Sequence, residues 1–395
     1  MTPDAESQLD RADAGERLSP QRALFDLPDD VTYLNCAYLS PQLRSVTEAG
    51  LAAVPRKARP WERKIPNGWF AGAEALRAAA ARLMGAEAEG VALVPSVSYG
   101  ISTAAANLPV ARGQNIVVLA EQFPSNYYAW HDVATAGDAV IRTVRRPPLE
   151  GWTESVLEAI DEDTAVVAVP NCHWSDGAFV DLVRVGQRAR EVGAAFVVDA
   201  SQSLGAHPLD VAEIQPDFLA SVTYKWQLGP YELAYLYASP RWRETGRPLE
   251  ASWQARADAA DFAGLVDYTD EYAAGARRFD MGGYPQFILG AMALAALEQV
   301  LEWGVDRVRA TIAPITRLIA DEARALGCVA LDEGERVGHM VGVRLPNGIP
   351  SDLMRRLEAE RVHVSVRGDS IRISPHVYND ESDAHRLLSV LREVV

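Results

Sequence analysis

The stretch Phe196-Val-Val-Asp-Ala-Ser-Gln-Ser-Leu-Gly205 is a short apolar run that ends on an acid. Its Val-rich composition predicts a strand, and open α/β sheets hold their ligands at the carboxyl ends of strands. Asp199 at such an end suits a metal ligand, a base or a partner for a protonated ring nitrogen; a helix cap or turn is the plainer alternative. A second stretch follows, Asp217-Phe-Leu-Ala-Ser-Val-Thr-Tyr-Lys-Trp-Gln-Leu-Gly-Pro230. Lys225 stands just past this apolar run, between Tyr224 and Trp226. Lysine is rarely buried, and one held among aromatic rings loses solvation, which lowers its pKa and makes its amine a nucleophile. A lysine reaching to the surface is the alternative.

Outward from this pair, apolar runs rich in Val and Ile recur at residues 90–94, 115–120, 164–169, 195–198, 219–222 and 233–237. Helical patterns lie between several of them, at 72–84, 155–160 and 180–192. Strands alternating with helices predict βαβ units and a mainly parallel sheet. The pattern lapses over 240–285, which reads as loop. Helices are expected at 286–303, 312–326, 351–360 and 382–394, with short strands at 340–343 and 371–374. The expected organisation is an N-terminal arm over 1–30, a large α/β domain over 31–285 and a smaller α+β domain over 286–395.

Composition narrows the function. The chain of 395 residues has a formal net charge of −16, which argues against a broad nucleic-acid surface, since such a surface needs Lys and Arg to displace phosphate counterions. No apolar run reaches the ~18–20 residues of a membrane span, and the acidic start at residues 1–10 lacks the features of a secretory signal. Cys36, Cys172 and Cys328 are widely spaced and show no CxxC motif, so neither a disulfide framework nor a structural zinc site is expected, and a cytoplasmic location is. None of the 7 histidines forms an HxH or HExxH motif. A metal-dependent hydrolase built on Asp199, Asp176 and His173 is the remote alternative.

Taken together, Asp199 and Lys225, 26 residues later, suit a pyridoxal 5′-phosphate site. A lysine forms the Schiff base, and a carboxylate keeps the pyridine nitrogen protonated so that the ring accepts electrons. With the segments below, the chain resembles the fold-type I pyridoxal phosphate enzymes of the class V aminotransferase family, from about Tyr33 to the C-terminus. That group includes kynureninases, isopenicillin-N-epimerase-like enzymes and cysteine desulfurases. The resemblance implies a mainly parallel sheet of seven-stranded type in the large domain, a homodimer with active sites at its interface, and an amino-acid substrate.

It also implies roles for particular residues. Lys225 is the Schiff-base lysine, Asp199 the partner of the pyridine nitrogen, and Gln202 a hydrogen-bond donor to the cofactor's phenolic oxygen. Tyr224 touches the phosphate. The phosphate cradle is Pro95-Ser-Val-Ser-Tyr-Gly-Ile101, with the Val97 backbone and Ser98 at a helix start, where free N–H groups bind anions. In Glu121-Gln-Phe-Pro-Ser-Asn-Tyr127, Phe123 occupies the place where desulfurases carry a ring-stacking histidine; Phe stacks but moves no proton. In Asn171-Cys-His-Trp-Ser-Asp-Gly177, one of His173 and Trp174 is expected to face the cofactor. Gly282 and Gly283, in Arg277-Arg-Phe-Asp-Met-Gly-Gly-Tyr-Pro-Gln286, are expected to offer N–H groups to a partner's phosphate. Arg372, in Ser370-Ile-Arg-Ile-Ser-Pro-His376, matches the arginine that grips the substrate α-carboxylate. Asn35, Ala37 and His376 are further substrate-contact candidates.

One departure separates subfamilies. Cysteine desulfurases carry a nucleophilic cysteine on a loop ahead of this arginine, whereas Arg361-Val-His-Val-Ser-Val-Arg-Gly-Asp-Ser370 has none. Persulfide transfer is therefore disfavoured. The motifs fit transamination and β-elimination of C–S or C–C lyase type alike, with epimerisation of an amino acid as the alternative.

Overall fold

The computed structural model describes residues 16–64, 67–146 and 151–395. Of the arm expected over 1–30, residues 1–15 lie outside these, as does the acidic start.

Seven strands form the central sheet: β1 (Val91–Val94), β2 (Asn115–Leu119), β3 (Val140–Val144), β4 (Thr164–Pro170), β5 (Ala195–Asp199), β6 (Phe218–Val222) and β7 (Ala234–Ala238). Their spatial order is β1-β7-β6-β5-β4-β2-β3. The run from β6 to β3 is parallel, and β7 is antiparallel to both of its neighbours. The sheet is the mainly parallel one expected.

Its strands are apolar on both faces because both faces are covered. Successive side chains point to opposite sides. In β4, Val167 and Val169 join one core while Val166 and Ala168 join the other. Phe196 and Val198 against Val197 repeat the division in β5. Each fully buried side chain of this size contributes roughly 1.5–3 kcal/mol. Helix α1 (Asn67–Met84) covers one face; α2 (Val97–Asn107) covers the other. Helix α3 (Leu182–Val192) is delimited as its sequence dictates. Asp181 accepts from the Val183 and Arg184 N–H groups, and Gly193 closes the helix at a φ of 77°.

Helices α4 (Leu289–Trp303) and α5 (Val305–Ala325) follow. Ala293, Leu297 and Val300 of α4 pack into the core beneath the central sheet. From Ile315 onward α5 belongs to a separate core with α6 (Glu381–Arg392) and a small antiparallel sheet. That sheet comprises β8 (Val341–Val343), β9 (Ser365–Arg367) and β10 (Ser370–Ile373), in the order β9-β10-β8. The N-terminal segment joins it: Thr32–Tyr33 pairs in parallel with Val362–His363, and Asn35 bridges to Ser374.

Two glycines let the small sheet approach the central one. A Cβ on Gly342 of β8 would lie 2.4 Å from the Asp176 Cβ, and one on Gly177, at a φ of +84°, would lie 2.7 Å from the Met340 carbonyl oxygen. The loop after β4 is thereby pressed against β8, next to Arg372 in β10. No helix among the described residues is long and apolar enough to cross a membrane.

Candidate active site

A cavity of about 420 Å³ opens at the carboxyl ends of β4, β5 and β6. Its walls include Val97, Ser98, Phe123, Trp174, Asp199, Gln202, Tyr224 and Lys225. These eight residues come from five separate stretches of chain, and the sheet order brings them together.

Lys225 is 8% exposed. Its Nζ lies 5.5 Å from the centre of the Phe123 ring and 5.9 Å from that of Tyr224. Burial drives the pKa of its amine down to about 8; the Arg372 charge adds to the fall and the Asp199 charge opposes it. An amine in that range is partly unprotonated near neutrality, as a nucleophile or a base must be. Asp199 is buried at the end of β5, where one carboxylate oxygen accepts the Ser201 N–H at 3.0 Å.

The expected phosphate cradle is laid out as a helix start. Ser96 caps α2 by accepting from the Tyr99 N–H at 3.1 Å. The first turn leaves the Val97 and Ser98 N–H groups outside the helical ladder. The hydroxyls of Ser98 and Ser125 meet at 2.8 Å, and both line the cavity.

Of the pair His173 and Trp174, the tryptophan faces the cavity. Its ring meets Phe123 edge-on at 5.5 Å, and its Nε1 donates to the Glu121 carbonyl at 2.6 Å. His173 is turned into the interior, where it stacks on Trp152 at 5.2 Å and contacts the Ser175 hydroxyl at 2.9 Å. Adjacent residues leaving a strand point to opposite sides, so only one of the two can face inward.

Gln202 is held on two sides. Its Nε2 donates to the Ala37 carbonyl at 3.1 Å and its Oε1 accepts from the Trp226 indole at 2.9 Å. The second amide hydrogen remains for a ligand. Ala37 thus acts through its backbone. Asn35 contacts the Ser365 hydroxyl at 2.7 Å and is buried rather than part of the wall. His376 sits behind Trp226, stacked at 6.0 Å, with burial holding its pKa down to about 4. The N–H groups of Gly282 and Gly283 are engaged within the chain, by Glu250 at 2.5 Å and by Gln254 at 2.6 Å.

Arg372 is 2% exposed. Its Nη1 donates to the Trp174 carbonyl at 2.9 Å, while its Nε and Nη2 have no partner. Those two nitrogens form one edge of the guanidinium, the edge that matches a carboxylate bidentately. Burial, helped by the nearby Arg367 charge, lowers its pKa to about 9.

Several wall residues escape sequence reasoning. Cys172, Ser201, Tyr231 and Glu232 all line the cavity. Burial raises the Cys172 thiol well above its ordinary range. The backbone is left-handed at Glu121, Leu228 and Glu232, three non-glycine residues around the site. A Gly-Pro turn at 229–230 is the sequence signal for the last two; nothing in the sequence marks Glu121.

The side chains fit the expected cofactor. A buried amine with no carboxylate in ion-pair range among the described residues, an acid at a strand end and an open helix start line one cavity, and an unpartnered guanidinium edge lies behind its Trp174 wall. They would suit, in turn, an imine-forming group, a ring-nitrogen partner, a phosphate cradle and a carboxylate clamp.

The comparisons agree. The aminotransferase class-V family model matches residues 68–387. An uncharacterized aminotransferase, YcbU, of Bacillus subtilis is 30% identical over 329 residues, 83% of this chain and 84% of that one. The isopenicillin N epimerase of Amycolatopsis lactamdurans is 26% identical over 396 residues, 94% of this chain and 97% of that one. The apo structure of a cysteine desulfurase from Thermococcus onnurineus NA1 superposes with a TM-score of 0.84 at 20% identity, covering 96% of this chain and 99% of that one. A family match that runs from the start of α1 into the last helix, over this sheet order and this lysine, places the chain in the class-V aminotransferase family, as a pyridoxal-phosphate-dependent enzyme.

Proposed function

We propose that the protein is an aminotransferase acting on an α-amino acid, with Lys225 as the residue that binds the cofactor and moves the Cα proton. Pyridoxal phosphate, when bound, supplies the electron sink for the bond that breaks at Cα. Asp199 keeps a proton on the pyridine nitrogen. Val97, Ser98 and Tyr224 hold the phosphate, Gln202 the phenolic oxygen, and Phe123 and Trp174 wall the ring. Arg372 grips the α-carboxylate and so turns the Cα–H bond towards the lysine.

One observation carries the reading. Lys225 is a buried amine of lowered pKa, and the residue facing it where desulfurases have a histidine is Phe123, which moves no proton. Among the described residues no histidine lines the cavity. A single base suffices for transamination, in which the proton taken from Cα is handed back to a neighbouring carbon on the same side.

The test is product analysis with a panel of amino acids and keto-acid acceptors. A keto acid formed together with pyridoxamine phosphate is expected. A keto acid released with ammonia would replace this reading with β-elimination, and a racemised amino acid would replace it with epimerisation.

The same proposal covers assembly and place. The enzyme works as a homodimer, supported by exposed apolar side chains such as Trp61, Val266 and Tyr268, the last 97% exposed. Sedimentation as a fully active monomer would refute it. Three free, buried cysteines fit a reducing cytoplasm.

A further inference from the structure

Arg367 and Arg372 share one face of the small antiparallel sheet. Arg372 of β10 stands opposite Ser365 of β9, and Arg367 lies two residues beyond Ser365. A period of two puts both guanidiniums on the same face as diagonal neighbours, their Cα atoms roughly 7–8 Å apart. They also meet the same residue of the cavity wall. Arg372 donates to the Trp174 carbonyl, and the Arg367 guanidinium carbon lies 5.7 Å from the centre of the Trp174 ring.

Neither has a counter-ion. Among the described residues no carboxylate lies within 4.0 Å of either, and Arg367 spends Nη1 on the carbonyl of its neighbour Val366 at 2.8 Å. A third arginine on this face shows the contrast. Arg344 lies two residues beyond Gly342, which pairs with Arg372, and it has Asp369 at 3.3 Å and Asp176 at 3.8 Å. Asp176 is in turn taken up by Arg146 at 2.6 Å. The chain has acids to spare, at a net charge of −16, yet leaves two adjacent guanidiniums unneutralised against Trp174 of the cavity wall. Like charges held side by side need anions to offset them, and one α-carboxylate answers for only one of the two.

We propose that Arg367 and Arg372 together bind a dicarboxylic amino acid, Arg372 taking the α-carboxylate and Arg367 the carboxylate at the end of the side chain. The inference rests on the reading of the site given above. The order of the two follows from depth. Arg372 is buried and its charge reaches the Lys225 amine, so it belongs beside Cα. Arg367 is half-buried and more exposed than Arg372, against the Trp174 ring, where a side chain running along that ring would end. The Trp174 and Phe123 rings give the intervening methylenes an apolar wall.

The test is a spectral titration of the cofactor-loaded enzyme with L-glutamate and L-aspartate against their neutral isosteres L-glutamine and L-asparagine. One dicarboxylate is expected to bind at least about tenfold more tightly than its amide, the ratio expected of a charge-assisted pair. In Arg367→Gln that preference should collapse to within about twofold, while L-alanine binds as in wild type and the visible absorbance is unchanged. Equal binding of acid and amide by the wild-type enzyme would overturn the proposal, whatever the variant does. So would an Arg367→Gln enzyme that weakens L-alanine and L-glutamate alike, because Arg367 would then serve the α-carboxylate. Failure of the underlying reading is distinct: the purified enzyme would show no lysine-bound cofactor absorbance before any amino acid is added.

Discussion

Arg372 Nη1 donates to the carbonyl oxygen of Trp174 at 2.9 Å, which ties a strand of the small sheet to the loop that leaves β4. The bond fixes the guanidinium plane and leaves the Nε and Nη2 edge free. Arg372→Lys keeps a charge and loses that edge. The visible absorbance of the bound cofactor should stay intact, while kcat/KM for α-amino acids falls about ten- to hundredfold, the worth of a charge-assisted pair of about 1.5–3 kcal/mol. The loss should vanish for simple amines, which have no carboxylate. Normal turnover of α-amino acids by Arg372→Lys would place the clamp elsewhere.

Lys225→Ala should leave the cofactor loosely held. Visible absorbance that survives dialysis in this variant, or borohydride fixation of the cofactor to it, would show that another amine carries the cofactor.

The same lysine sets a pH dependence in the cofactor-free chain. Its folded pKa, about 8, lies below the ~10.4 of a free lysine, so between these values the unfolded state binds more protons than the folded one. Stability therefore rises with pH through this window, and the penalty is fully present below about pH 8. Cofactor-free Lys225→Met should be more stable than the cofactor-free wild type at pH 7, by on the order of 3 kcal/mol at most, and the gap should close towards pH 10.5. Denaturant midpoints at the two pH values measure it. A gap that is flat or widens with pH would show that the lysine stays charged in the fold.

Asp199→Asn should keep the lysine-bound cofactor but lower turnover by orders of magnitude, because a neutral amide cannot hold the ring-nitrogen proton. Activity within about twofold of wild type would make Asp199 a structural acid that serves only the Ser201 N–H.

Six of the seven central strands are legible as runs of Val, Ile, Leu and Ala buried on both faces. The seventh, Val140–Val144, escapes because it is an edge strand with Val140 and Thr143 exposed and Arg142 only partly covered, so no long apolar run marks it. The antiparallel direction of Ala234–Ala238 is also hidden: it is as apolar and as buried as the parallel strands of the sheet, and direction depends on the loop that precedes it. The reading starts a helix at 312 where the structure starts α5 at Val305, carrying Pro314 inside it. Proline normally argues for a break. In the site, residue types at strand ends point to Lys225, Asp199 and Ser98. Which of His173 and Trp174 faces the cavity depends on how the chain leaves β4, and the free edge of Arg372 depends on a bond to a distant carbonyl. Neither is a property of local sequence.

The cradle rests on a buried ion pair beneath it. Arg77 of α1 is fully buried and pairs with Asp280, Nη1 to Oδ1 at 3.0 Å and Nη2 to Oδ2 at 2.7 Å. Asp280 Oδ1 also accepts the Leu93 N–H of β1 at 2.7 Å, and Arg77 Nη1 donates to the Val91 carbonyl at 2.5 Å. The pair thus holds the strand that leads into the Ser96 cap of α2 at its first and third residues. Arg77→Met leaves Asp280 as an uncompensated buried charge, which costs about 3–5 kcal/mol. The double variant with Asp280→Asn removes that charge and should recover part of the loss, so the two substitutions should be strongly non-additive. Cofactor affinity should fall with stability in Arg77→Met, since the Val97 and Ser98 N–H groups are positioned by the end of β1. Chemical denaturation of the four proteins in the cycle, with a cofactor titration of each, measures both effects. An Arg77→Met protein within about 1 kcal/mol of wild type, or strictly additive substitutions, would show that the carboxylate is neutralised by another route.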